Sequence, residues 1–147
     1  MAVTRSSLEG VAALTKQLIS LQKLDDGKAL KSAVKAGINE ALKQAQEYVP
    51  IGTVPHRTYQ GVLVAPGFAK TQLRTISTIN AAKNVANGIL GVRKAGYYIL
   101  QYVEMGTRFQ RPQPFIRRAL MDAREDAESK LRASLQKSVD KAIKDAS

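Results

Sequence analysis

The sequence predicts an α+β fold: an N-terminal helical hairpin, a long loop, a three-stranded antiparallel β-meander and a long C-terminal helix. Three observations predict it. Apolar residues recur at three- and four-residue steps at both ends of the chain. In the middle they alternate or cluster in short β-branched and aromatic runs. Prolines and glycines separate the two regimes.

Residues 1–49 form the expected hairpin. Ser6 and Glu9 have capping-box spacing, and Val11, Leu14, Leu18 and Leu21 follow on one helical face. Asp25-Asp26-Gly27 ends this helix. A second runs from Lys28 to Val49, with a stripe of Leu30, Ala33, Val34, Ile38, Ala41, Leu42 and Ala45. Gly37 inside it costs about 1 kcal/mol against alanine and marks a close approach to another backbone. Residues 50–71 hold Pro50, Pro55, Pro66, Gly52, Gly61 and Gly67 and no acid. An extended loop or arm reaching a neighbouring subunit fits them; its candidate contact residues are His56, Arg57, Tyr59, Pro66, Gly67 and Phe68.

Residues 72–105 make the meander. In 72–80, Leu73, Thr75, Ser77 and Ile79 share a face; 85–93 forms the second strand; YYILQYVEM, 97–105, forms the third after a tight turn at Lys94-Ala95-Gly96. Residues 106–114 are a turn and a proline-rich loop. Pro112 and Pro114 precede Phe115, where one helix starts and runs through 115–147, its apolar line being Ile116, Leu120, Ala123, Ala127, Leu131, Leu135 and Val139. The 147 residues make one domain.

Aromatic residues are 5% of the chain and Trp is absent, so the core is aliphatic and small, and burial against other subunits would add to it. No cysteine is present, which excludes disulfides, thiolate metal sites and a thiol nucleophile. The first ten residues lack the apolar core of a secretory signal. No apolar run approaches the roughly 20 residues of a membrane span.

The net charge of +11 is unevenly placed. Residues 51–116 carry eight Lys and Arg against one acid, Glu104, whereas the flanking thirds are near balance. Basic charge keeps a small protein soluble; it also attracts polyanions. Arg74, Lys83, Arg93, Lys94, Arg108 and Arg111 are the candidates for contact with DNA in a channel or with an acidic partner.

No catalytic constellation is visible, and the expectation is a protein that is not an enzyme and uses no cofactor and no metal. His56 is the sole histidine and fits a surface or hydrogen-bonded loop position. Paired carboxylates are missing from the middle region, as are phosphate-binding glycine motifs. The aromatics Tyr97, Tyr98, Tyr102, Phe109 and Phe115 lack an interleaved basic pattern, so packing suits them better than base stacking. Glu104, placed on a strand beside Tyr98, Leu100 and Tyr102, is expected to pair with Arg74, Arg93, Arg108 or Arg117, or else to stand exposed at the strand end.

YYILQYVEMGTRFQRPQPFIRRAL, Tyr97 to Leu120, resembles the signature of the gene-product-ten-like family of phage tail-completion and head–tail joining proteins. Aromatics enter a strand, an acid and Gly-Thr follow, and Pro-x-Pro with an aromatic starts a helix. Here Glu104, Gly106, Thr107, Pro112, Pro114 and Phe115 carry the pattern as structural and interface residues. VPHRTYQGVLVAPGFAK, Val54 to Lys70, and LGVRKAGYY are similar to one branch of that family. Arg117 stands where members often have proline, and Met105 where Leu or Phe is common. The resemblance implies a structural virion protein at the head–tail neck or proximal tail end of a long-tailed phage, assembled in the bacterial cytoplasm. It implies a six-fold ring of identical copies, with the connector or adaptor, tail terminator and tail tube as partners and DNA passing without sequence readout. From charge alone the alternative is a small basic, sequence-nonspecific DNA-binding protein.

Overall fold

A computed structural model describes residues 27–58, 60–80, 82 and 85–146. The expected first helix of the hairpin therefore lies outside the described residues, as do Tyr59 and Lys83. The order is α1 (Lys28–Tyr48), a short hairpin β1 (His56–Arg57) and β2 (Leu63–Val64), α2 (Phe68–Gln72), β3 (Leu73–Asn80), β4 (Val85–Val92), α3 (Tyr97–Met105), α4 (Phe115–Asp122) and α5 (Arg124–Ala146). Both sheets are two-stranded and antiparallel. The fold is α+β with a long C-terminal helix.

α1 is the hub because its buried residues are small and four apart: Ala33, Gly37, Ala41 and Ala45. That stripe lets other backbones come close. A Cβ at Gly37 would stand 2.9 Å from the Ala127 carbonyl oxygen of α5, the close approach expected of this glycine. Tyr48 meets Asp122 at the other end of α1, so α1 and the α4–α5 arm run antiparallel. α1 closes with the Val49 N–H donating to Ala45 O and then turns extended, as Pro50 requires.

The β3–β4 hairpin lies on α1. Leu73, Thr75, Ser77 and Ile79 face inward, opposite Val92, Leu90, Gly88 and Ala86. A Cβ at Gly88 would come within 2.9 Å of Val34 Cγ1, and the Thr75 hydroxyl donates to Asn39 Oδ1 at 3.0 Å. Arg74, Ile76, Thr78 and Asn80 point outward and are exposed. The core joins Ala45 of α1 and Val49, its C-cap, to Leu73, Leu100, Phe115 and Ala119.

The third strand is overturned: residues 97–105 are helical. β-Branched and aromatic composition is a weak backbone preference that packing overrides. Leu100, Ile99 and Val103 fall on one helical face, with Leu100 fully buried in the core. Tyr97, Tyr98, Tyr102 and Met105 occupy the other face and are exposed. Apolar residues on both faces hid the 3.6-residue period. The meander is thus a two-stranded hairpin, and Lys94–Gly96 is a 3-10 turn leading into α3 rather than a turn between strands.

The arm 50–71, expected as an extended loop or arm, holds β1, β2 and most of α2. One further expectation changes. The last helix breaks at Ala123, whose N–H bonds Ala119 O, before α5 resumes.

Candidate functional site

The stretch from α3 to α4 is a fastened turn. Gly106 ends α3 with φ 76° and its N–H on Tyr102 O. A side chain there would be strained twice over, because a Cβ would also stand 2.7 Å from Pro112 N and 2.9 Å from Gln110 O. Thr107 ties the loop into a ring. Its N–H donates to Gln110 O at 2.9 Å, and its Oγ1 accepts the N–H groups of Phe109 at 3.2 Å and Gln110 at 3.1 Å. The Gln113 N–H returns to Val103 O at 2.8 Å, fixing the proline-rich segment against α3.

Glu104 completes the turn by a means different from the one expected. It lies on a helix, and no ion pair links it to Arg74, Arg93, Arg108 or Arg117 among the described residues. Its Oε2 accepts the Ile116 N–H at 2.9 Å, and its Oε1 accepts the Arg117 N–H at 3.1 Å. These are the second and third N–H groups of α4, which a capping side chain ordinarily satisfies. Pro114, at the cap position, offers no such side chain, and the first turn of α4 holds no acid. A carboxylate from α3 therefore supplies both the acceptors and the negative charge favoured at a helix N-terminus.

The result is a rigid platform with apolar groups turned to solvent. Phe109 is 85% exposed, and Met105, Tyr97, Tyr98 and Tyr102 are exposed beside it in sequence. The Arg108 guanidinium lies 4.4 Å from the Phe109 ring centroid. Of the five aromatics expected to pack, only Phe115 is buried; Phe109 stands out in solvent with Tyr97, Tyr98 and Tyr102. The available signal was a phenylalanine set among Arg, Gln and Thr, with no apolar neighbour to pack on.

The arm forms the second part of the site. In its hairpin His56 faces Val64 and Arg57 faces Leu63. Thr58 closes the turn with its carbonyl and hydroxyl, and Arg57 Nη1 donates to Gly61 O at 3.1 Å. His56 is exposed, with Nδ1 3.4 Å from Val54 O. Between arm and α3 lies an apolar cavity of about 200 Å³, lined chiefly by Ile51, Val54, Val64, Phe68, Ile99 and Val103. His56 and Gly67 also border it. The structure thus brings three predicted arm residues, His56, Gly67 and Phe68, to one cavity; Pro66 is exposed on the adjoining turn.

The predicted basic residues do not form one cluster. Arg74 sits on the outer face of the β3–β4 hairpin opposite Gly91, with Arg93 just past the end of β4 and Lys94 starting the 3-10 turn that follows. Arg108 and Arg111 lie in the proline-rich loop. All five are exposed, and none has a carboxylate partner among the described residues. No group of three His, Asp or Glu side chains able to hold a metal ion occurs among the described residues. Nor is any described helix long and apolar enough to cross a membrane.

Comparison with protein-family models, curated proteins and solved structures finds no match to this chain.

Proposed function

We propose that this chain is a structural virion protein of a tailed bacteriophage. Identical copies form a ring, six-fold in the simplest case, at the head–tail neck or proximal tail end and act in tail completion and head–tail joining. The observation that carries this is the use made of Glu104. The one acid of the middle region caps α4, and the turn it stabilises holds Phe109 out in water. A motif that spends its polar groups on rigidity and displays apolar side chains suits quaternary contact. The partners are further copies of itself and the neighbouring connector, terminator and tube proteins. The exposed cations Arg74, Arg93 and Lys94 suit DNA passing by without sequence readout.

Antibody labelling of particles, with sedimentation of the purified protein, tests the proposal. Label at the neck, or a closed oligomer in solution, supports it. A strict monomer that is absent from particles opposes it.

The same exposed cations favour the second reading, a small basic DNA-binding protein. Filter binding against salt separates the two. Tight binding by the soluble monomer, falling steeply as salt rises, favours the second.

A further inference from the structure

α3 turns one face to the core and the other to water, and the outer face does little for the fold. Tyr97, Tyr98 and Tyr102 are each exposed over half their surface. Tyr97 and Tyr98 meet edge to face, with ring centroids 5.5 Å apart. Among the described residues no cation lies over any of the three rings, and none of their hydroxyls is hydrogen-bonded. Phe109, by contrast, is already covered by Arg108.

The tyrosines continue a line of positive charge. The Tyr97 N–H bonds Lys94 O where the 3-10 turn runs into α3, and Lys94, Tyr98 and Tyr102 follow at steps of four. Residues four apart on a helix share a face. Arg93 precedes them, anchored by its N–H to Gln72 O at 2.7 Å. Arg93 and Lys94 are both exposed, without a carboxylate partner among the described residues. No acid opposes them. Glu104 is the one acid between Glu47 and Asp122, and both its oxygens are taken by α4. In the sequence the cations precede the tyrosines rather than alternate with them, and only the helical turn aligns the two.

We infer that the outer face of α3 binds single-stranded nucleic acid, with bases stacked on Tyr98 and Tyr102 and phosphates held by Arg93 and Lys94. Exposed rings beside cations are the means by which single strands are bound without regard to sequence. The two tyrosines stand about 6 Å apart along the helix axis, so each takes its own base. A duplex keeps its bases stacked inside and offers the rings nothing; it meets the cations alone. A second copy of the chain brings net charge of the same sign, +11, so a polyanion fits this face better. The site lies within one chain and goes beyond the ring-forming reading.

Fluorescence anisotropy of a labelled oligothymidine titrated with the full chain tests this, with a duplex of equal length as the comparison. The single strand should bind about 10-fold more tightly than the duplex. Tyr98→Ala and Tyr102→Ala should each weaken it by about 10- to 100-fold, with circular dichroism unchanged. Tyr98→Phe and Tyr102→Phe keep the ring and should bind within about 2-fold of wild type. Arg93→Gln with Lys94→Gln should flatten the slope of log affinity against log salt by about 1.4, the value for two phosphate contacts on a single strand. The inference is overturned if the single strand does not bind, if the duplex binds as tightly, or if the alanine variants bind like wild type. It is also overturned if they lose an oligomer in sedimentation yet keep their affinity for the strand, since the face would then belong to a second copy. None of these results removes the head–tail reading, which rests on the turn that holds Phe109.

Discussion

Replacing Glu104 with alanine removes both acceptors from the N-terminus of α4. The Ile116 and Arg117 N–H groups, at 2.9 and 3.1 Å from the carboxylate, lose their partner, and Pro114 cannot replace it. Loss of a helix cap costs about 1 kcal/mol. Loss of a negative charge at the positive end of the helix costs about 1 kcal/mol more where burial is partial. Glu104→Ala should therefore destabilise by about 2 kcal/mol, which lowers Tm by about 6 °C in a chain of this size. Glu104→Gln keeps one carbonyl acceptor and should lose about half as much. Urea unfolding followed by circular dichroism measures both. Arg117→Ala separates capping from ion pairing. It removes a cation from a helix N-terminus and should change stability by no more than about 0.5 kcal/mol, towards greater stability. The capping argument fails if Arg117→Ala costs as much as Glu104→Ala, or if Glu104→Ala is indistinguishable from wild type.

Three more outcomes follow from the packing. Gly106→Ala forces a side chain into positive φ and into Pro112, and should cost about 2 to 4 kcal/mol in the same unfolding measurement. Gly37→Ala gains helix propensity but pushes a methyl group to 2.9 Å from the Ala127 carbonyl oxygen; the overpacking should win, for a net loss of about 1 kcal/mol. Tyr48 donates its hydroxyl to Asp122 Oδ2 at 2.8 Å. That hydrogen bond raises its pKa above the ordinary value near 10, helped by desolvation and the carboxylate's charge and opposed by Arg118. The folded pKa lies above the unfolded one, so this contribution is full below about pH 10 and is lost as pH climbs through the raised value. In a spectrophotometric titration Asp122→Asn should bring the ionisation of this tyrosine down towards pH 10.

Much of the fold was legible, and the failures share a cause. The small-residue stripe of α1 and the alternation of Leu73, Thr75, Ser77 and Ile79 each have one apolar face, so periodicity read them correctly. α3 has two: Leu100 and Val103 face the core, while Tyr98 and Tyr102 face water. No single-face pattern could emerge, and aromatic content pointed to a strand. Gly106 directly after Met105 was the missed signal, being a helix-ending glycine. Glu104 was recognised as singular, but its role was not legible from charge. Capping α4 depends on two backbone N–H groups twelve and thirteen residues away, and a residue type says nothing of those. The cavity likewise exists only because the arm folds back over α3.

The display of Phe109 for contact between copies can be measured by sedimentation velocity on the wild-type chain and on Phe109→Ala at matched concentrations. The wild type should show one discrete oligomer, which for six copies of 16.0 kDa is about 96 kDa. The variant should shift towards the 16.0 kDa monomer with its circular dichroism spectrum unchanged. An oligomer that persists undiminished when the ring of Phe109 is gone would contradict it.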